Sequence, residues 1–164
     1  LALRSPQTRQ AVITLLKNAP QAAYKLFDVN LRSNYYSKEL IDELLQEANV
    51  FKINDEEMVK VQELFGLHLS DEEICKWFIQ KYDLRYLIFT AGEKYSIVYS
   101  AGGEKSYLDT PKVKVADTVG AGDSFSAGFV MGLLTGKSMR EAHKQAVATA
   151  AFVCTKSGAW PEYE

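Results

Sequence analysis

The chain has 164 residues, 47% of them hydrophobic and 24% charged, enough to bury the core of one ordinary domain and too apolar for a disordered segment. Its net charge of −2 supplies no basic field for nucleic acid or an anionic lipid surface, so a phosphate site has to be local. No apolar run reaches the roughly 18 residues of a membrane span and no leader-like segment opens the chain, which leads us to expect a cytoplasmic protein with no membrane partner.

The chain starts at Leu1 on Leu-Ala-Leu, which reads as a strand end and implies that sequence belongs before it. Residues 6–19 carry Ala11, Ile13, Leu15 and Leu16 before Pro20, a helical pattern. Residues 24–29 form a short apolar run, read as a buried strand. Leu40, Ile41, Leu44 and Leu45 repeat at helical spacing over 38–48, with Ser37 as N-cap. Residues 50–53 are a second strand, and Asn54 opens a helix whose first turn is acidic, as the helix dipole favours. Ser70, with Glu73 three residues on, starts a helix to about residue 80 through a capping box. Residues 85–90 and 95–100 read as strands, the second paired in a hairpin with 112–115. Two helices, 121–135 and 138–155, close the chain. Cys75 and Cys154 lie in apolar helical stretches, fit no metal spacing and read as reduced thiols. Strand–helix alternation of this kind specifies an α/β domain with a largely parallel sheet, whose ligands sit beyond the carboxyl ends of the strands.

At one such end stands Asp117-Thr118-Val119-Gly120-Ala121-Gly122-Asp123-Ser124-Phe125. Gly120 and Gly122 remove side chains where a loop enters a helix, so backbone N–H groups can converge on an anion at the positive end of the helix dipole. Asp123 falls in the first turn, where a carboxylate can take the proton of an attacking hydroxyl. The plainer alternative is a glycine-rich turn with Asp123 capping its helix.

The nine-residue segment resembles the C-terminal signature of the ribokinase-like (PfkB) carbohydrate kinases. The resemblance implies a three-layer α/β/α fold, an anion hole made by Gly120, Ala121 and Gly122, and Asp123 as catalytic base in contact with the sugar hydroxyl. Other segments extend it along nearly the whole chain. Asp28-Val29-Asn30-Leu31-Arg32 is similar to the family's Asp-x-Asn-x-Arg, which makes Arg32 a substrate-binding residue; on its own it is a polar turn with a local ion pair. Asn54-Asp55-Glu56-Glu57 resembles the Asn-x-x-Glu motif that helps hold Mg²⁺ through water and phosphate, and on its own it is a helix cap. Thr90-Ala91-Gly92-Glu93-Lys94 looks like the Thr-x-Gly-x-x-Gly nucleotide loop, with Tyr95 in place of the last glycine. Lys156-Ser157-Gly158-Ala159 resembles the segment that closes around adenine and, in some members, a monovalent cation such as K⁺, although Val119 offers no side-chain oxygen for one.

The resemblance thus implies that residues 1–164 are the nucleotide-binding and catalytic C-terminal part of an ATP-dependent sugar kinase, an incomplete domain whose N-terminal substrate-binding part is absent. The parent is compatible with a homodimer. Fructose is the favoured sugar; ribose, ketodeoxygluconate or nucleoside acceptors are alternatives, as is a nucleotide-binding fragment without catalysis. His68 and His143 match no motif and read as solvent-facing or packed helix residues, and Trp160 as a packing residue.

Overall fold

The computed structural model describes residues 3, 5–31 and 36–162. In chain order its elements are α1 (Pro6–Asn18), β1 (Leu26–Asp28), α2 (Lys38–Glu47), β2 (Val50–Asn54), α3 (Asp55–Phe65), α4 (Asp71–Tyr82), β3 (Tyr86–Thr90), β4 (Tyr95–Ser100), β5 (Lys105–Asp109), α5 (Ala121–Leu134) and α6 (Met139–Cys154). Five of these helices open on a polar side chain, Ser5, Ser37, Asn54, Ser70 or Ser138, that accepts a first-turn N–H otherwise left without a partner. In α3, α4 and α6 a Glu three residues on completes the capping box.

The strands form one sheet in the order β1-β2-β3-β4-β5. β1 and β2 pair in parallel, with Leu26 opposite Val50, Phe27 opposite Phe51 and Asp28 opposite Lys52. β2 reaches β3 through α3 and α4, the kind of crossover that parallel neighbours require. Residues 91–94 and 101–104, the connections into and out of β4, are of hairpin length, so β4 runs against its neighbours in an otherwise parallel sheet. The expected α/β class with a largely parallel sheet is the observed one.

Two differences from the sequence reading stand out. Residues 112–115 form no strand, and the hairpin partner of β4 is β5, which is shielded from notice by its lysine and aspartate ends. The Lys-Val alternation of 112–115 has the period of a half-buried strand, yet Val115 is exposed and nothing pairs with that backbone among the described residues. Trp160 is 92% exposed and packs nowhere in the described core. Of the expected strand at residues 1–3, only Leu3 is among the described residues, in a 3₁₀ turn.

The chain divides into two compact units. The first comprises Leu1–Phe89 and Tyr99–Gly103, the second Thr90–Val98 and Glu104–Glu164. In the first, four consecutive β2 residues, from Val50 to Ile53, are buried, as happens to a strand covered on both faces. Phe51 is in contact with Phe78 of α4, ring centroids 5.2 Å apart, and Ile41, Leu45, Met58 and Ile74 are buried in the same unit. In the second unit α5 and α6 pack at close range through glycines. A Cβ on Gly132 would lie 2.8 Å from Ala142 Cα, and one on Gly128 3.0 Å from Ala146 Cα. Cys75 is buried and Cys154 half-buried, both as free thiols.

Candidate functional site

α5 lacks the device that opens the other helices. Its N-cap is Gly120, at φ 80° and ψ −4°, and no side chain caps the first turn. The left-handed backbone needs glycine, and the approach of the chain needs it again, because a Cβ there would sit 2.8 Å from the Ala159 carbonyl oxygen. Ala121, Gly122 and Asp123 follow as the first turn; the Ala121 N–H donates to the Thr118 carbonyl at 3.2 Å, and Gly122 and Asp123 are exposed. Among the described residues no hydrogen bond or ion pair engages the exposed Asp123 carboxylate.

The loop ahead of this turn is held by a residue for which sequence reading gave no role. The Asp117 carboxylate accepts the Val119 N–H at 3.0 Å and the Gly158 N–H at 3.1 Å. These bonds, that from Val119 foremost, hold its pKa below the ordinary carboxylate value. The Ala116 and Asp117 N–H groups donate to the Cys154 carbonyl at the end of α6. Gly158, at φ 81°, has its N–H committed to the Asp117 carboxylate. The pairing spans 41 residues, which is why no local pattern announces it.

Thr90 ends β3 and Gly92 stands in the tight turn to β4 with φ 53°. The Lys94 N–H donates to the Ala91 carbonyl at 3.0 Å and the Ala91 N–H to Tyr95 at 2.8 Å. Tyr95 is the first residue of β4, its ring stacked on Tyr107 of β5 at 5.2 Å. A residue paired into a strand does not need glycine's freedom, which accounts for the departure from the expected loop pattern.

In the first unit, Asn54 and Glu57 cap α3. Asn54 Oδ1 accepts the Glu57 N–H at 2.8 Å, and Glu57 returns the bond to the Asn54 N–H at 3.1 Å and reaches the Leu31 N–H at 3.4 Å. Burial raises the Glu57 pKa, opposed by those two N–H donors and reinforced by the nearby Asp28 charge. Asp28 is itself paired with the nearly buried Lys52 at 2.6 Å. Oxygen donors with partly buried negative charge suit a hard cation such as Mg²⁺. Among the described residues no group of three or more His, Cys, Asp or Glu is placed to hold a metal. Arg32 lies outside the described residues.

His143, which fitted no motif, is fully buried in the second unit between two serines. Ser96 Oγ lies 2.8 Å from Nε2 and Ser106 Oγ 2.9 Å from Nδ1. Burial lowers its pKa to about 4, so the imidazole is neutral, one nitrogen donating and the other accepting. His68 is exposed.

A glycine-opened helix end without a side-chain cap is the kind of place where backbone N–H groups can receive an anion. The pfkB family carbohydrate kinase profile matches residues 2–162, and the chain belongs to that family. It is 29% identical to a nucleoside kinase of Methanocaldococcus jannaschii, over 80% of this chain and 41% of that protein. It is 30% identical to the 2-dehydro-3-deoxygluconokinase of Escherichia coli K12, over 97% of this chain and 53% of that protein. Among solved structures, a fructokinase from Vibrio cholerae in a fructose-, ADP- and calcium-bound form superposes with a TM-score of 0.79 at 25% identity, covering 96% of this chain and 53% of that one. The chain spans about half the length of the curated relatives it matches.

Proposed function

We propose that this chain is the nucleotide-binding and catalytic half of a kinase that transfers the γ-phosphate of ATP to a sugar hydroxyl. The observation that carries the proposal is the opening of α5, where Gly120 at φ 80° exposes a first turn without a side-chain cap and Asp123 stands in that turn. In this reading the backbone of Gly120, Ala121 and Gly122 forms the anion hole that receives the negative charge gathering on the phosphoryl oxygens, the Ala121 N–H exchanging its bond to the Thr118 carbonyl for the phosphate. Asp123 accepts the proton of the sugar hydroxyl as its oxygen bonds to the γ-phosphorus. The bond from that phosphorus to the bridging oxygen of ADP breaks, and ADP departs with the electron pair. Asn54 and Glu57 are the residues that would hold Mg²⁺ through its waters, and the ion's contribution is to offset phosphate charge. Thr90 and Gly92 belong to the nucleotide loop in this reading, and Arg32 to the substrate.

For the acceptor we favour fructose, on the Asp28-Val29-Asn30-Leu31-Arg32 and Leu-Ala-Leu-Arg-Ser-Pro segments. The named activities of the relatives keep ketodeoxygluconate-type and nucleoside acceptors as the rivals, and a sugar panel on the intact enzyme separates them. A second reading, a nucleotide-binding fragment without catalysis, draws on the half-length match to the relatives and is favoured if the isolated chain binds nucleotide but turns over nothing. Replacing Asp123 with Asn in the intact enzyme tests the mechanism. Turnover should fall by about a hundredfold or more while Mg·ADP affinity stays within about twofold, and near-normal turnover would remove Asp123 from the role of base. Exchanging K⁺ for Na⁺ in the same assay reads out any monovalent-cation requirement.

A further inference from the structure

The turn between β3 and β4 is held from outside by a residue that belongs to none of the motifs. The Thr110 hydroxyl donates to the Gly92 carbonyl at 2.9 Å, and the Thr110 N–H donates to the Lys94 carbonyl at 3.1 Å. Thr110 directly follows β5, so a single residue grips two carbonyls of the turn that carries Gly92. We infer that Thr110 is a positioning residue for the nucleotide loop, an inference that rests on the reading of Thr90 to Lys94 as that loop.

A glycine at φ 53° has an unusually wide range of accessible backbone conformations, and a Cβ at Gly92 would meet no atom within 4 Å, so packing does not restrict the turn there. The peptide joining Gly92 to Glu93 is planar and trans, with its carbonyl and N–H pointing in opposite directions. Fixing the Gly92 carbonyl on the Thr110 hydroxyl therefore aims the Glu93 N–H away from Thr110, as a fixed donor on the other side of the turn. Without that hydroxyl the plane is free to rotate, and a ligand that takes the donor must bear the cost of ordering it. The need is greater in this chain than where the loop ends in a second glycine. Tyr95 is locked in β4 against Tyr107, so the freedom of the turn is confined to residues 92–94, the stretch that Thr110 grips.

The test uses this chain with Thr110→Val, which keeps the shape of the side chain and removes the donor, and Thr110→Ser, which keeps the donor. Amide hydrogen exchange over residues 92–94 and calorimetric titration with Mg·ADP are the two readouts. Thr110→Val should accelerate exchange in the turn and weaken Mg·ADP, each by about threefold to tenfold, the worth of one neutral hydrogen bond, and Thr110→Ser should restore both. Unchanged exchange in Thr110→Val would overturn the inference, because the hydroxyl would not be holding the turn. Faster exchange with unaltered Mg·ADP affinity would overturn it as well, the grip being real but unconnected to the nucleotide. Should the unmodified chain bind no Mg·ADP while its turn still responds to Thr110→Val, the nucleotide reading of the loop fails and takes the inference with it. The exchange data identify that case separately.

Discussion

At Gly120 two requirements coincide on one atom that the residue lacks. The backbone sits at φ 80°, and a Cβ would come within 2.8 Å of the Ala159 carbonyl. Gly120→Ala should therefore cost about 1–3 kcal/mol of stability, read as a lower denaturation midpoint, and should weaken any anion binding at α5 because the loop must move. Asp117 holds the same loop through charge-assisted bonds. Asn in its place keeps the shape but turns one of the two acceptors into a donor, so the bond from Val119 or Gly158 is lost. We expect Asp117→Asn to lower both the melting temperature and the affinity for Mg·ADP, and an unchanged affinity would show that this clasp does not shape the site. His143 gives a pH signature. Its pKa falls from 6.5 in the unfolded chain to about 4 in the fold, so the unfolded state binds the proton first. Its contribution is complete above pH 6.5 and is lost as pH falls towards about 4, a change on the order of 3 kcal/mol. Denaturation midpoints measured from pH 7 to 4 should show this acid limb, and His143→Gln, which does not titrate, should flatten it.

The close approach of α5 and α6 is set by glycine. With a Cβ at Gly132 only 2.8 Å from Ala142 Cα, Gly132→Ala should force the helices apart and cost about 1–3 kcal/mol, outweighing the gain in helix propensity, and a thermal melt checks it. These elements were largely legible beforehand because the signals that start and stop helices are local: Ser37, Asn54 and Ser70 each cap the helix expected of them. β5 was missed for the converse reason. Its charged ends hide a five-residue strand in which only Ser106 is fully buried, whereas 112–115 imitates strand alternation without a partner. The residues that shape the candidate site from a distance were illegible in the same way. Thr110 on Gly92 and Asp117 on Gly158 join residues 18 and 41 apart, and no periodicity encodes such pairs. Glu57 shows how one residue serves two readings. As the capping partner of Asn54 it accounts for its own position, and the metal role asks only that its partly buried carboxylate have a further lone pair to offer.

On the scale of the whole molecule, the family follows from the sequence match, and the opening of α5 is where the proposed chemistry lies. The motifs fall into both compact units, Asn54 and Glu57 in the first, Thr90, Gly92, Asp123 and Gly158 in the second. The proposed anion site at the start of α5 lies in the second. Calorimetric titration of this chain with Mg·ADP, with Gly122→Val as control, therefore tests the central claim most directly. We predict saturable binding that the valine side chain in the first turn of α5 abolishes. No binding by the unmodified chain, or equal binding by Gly122→Val, would contradict a nucleotide phosphate site at the start of α5.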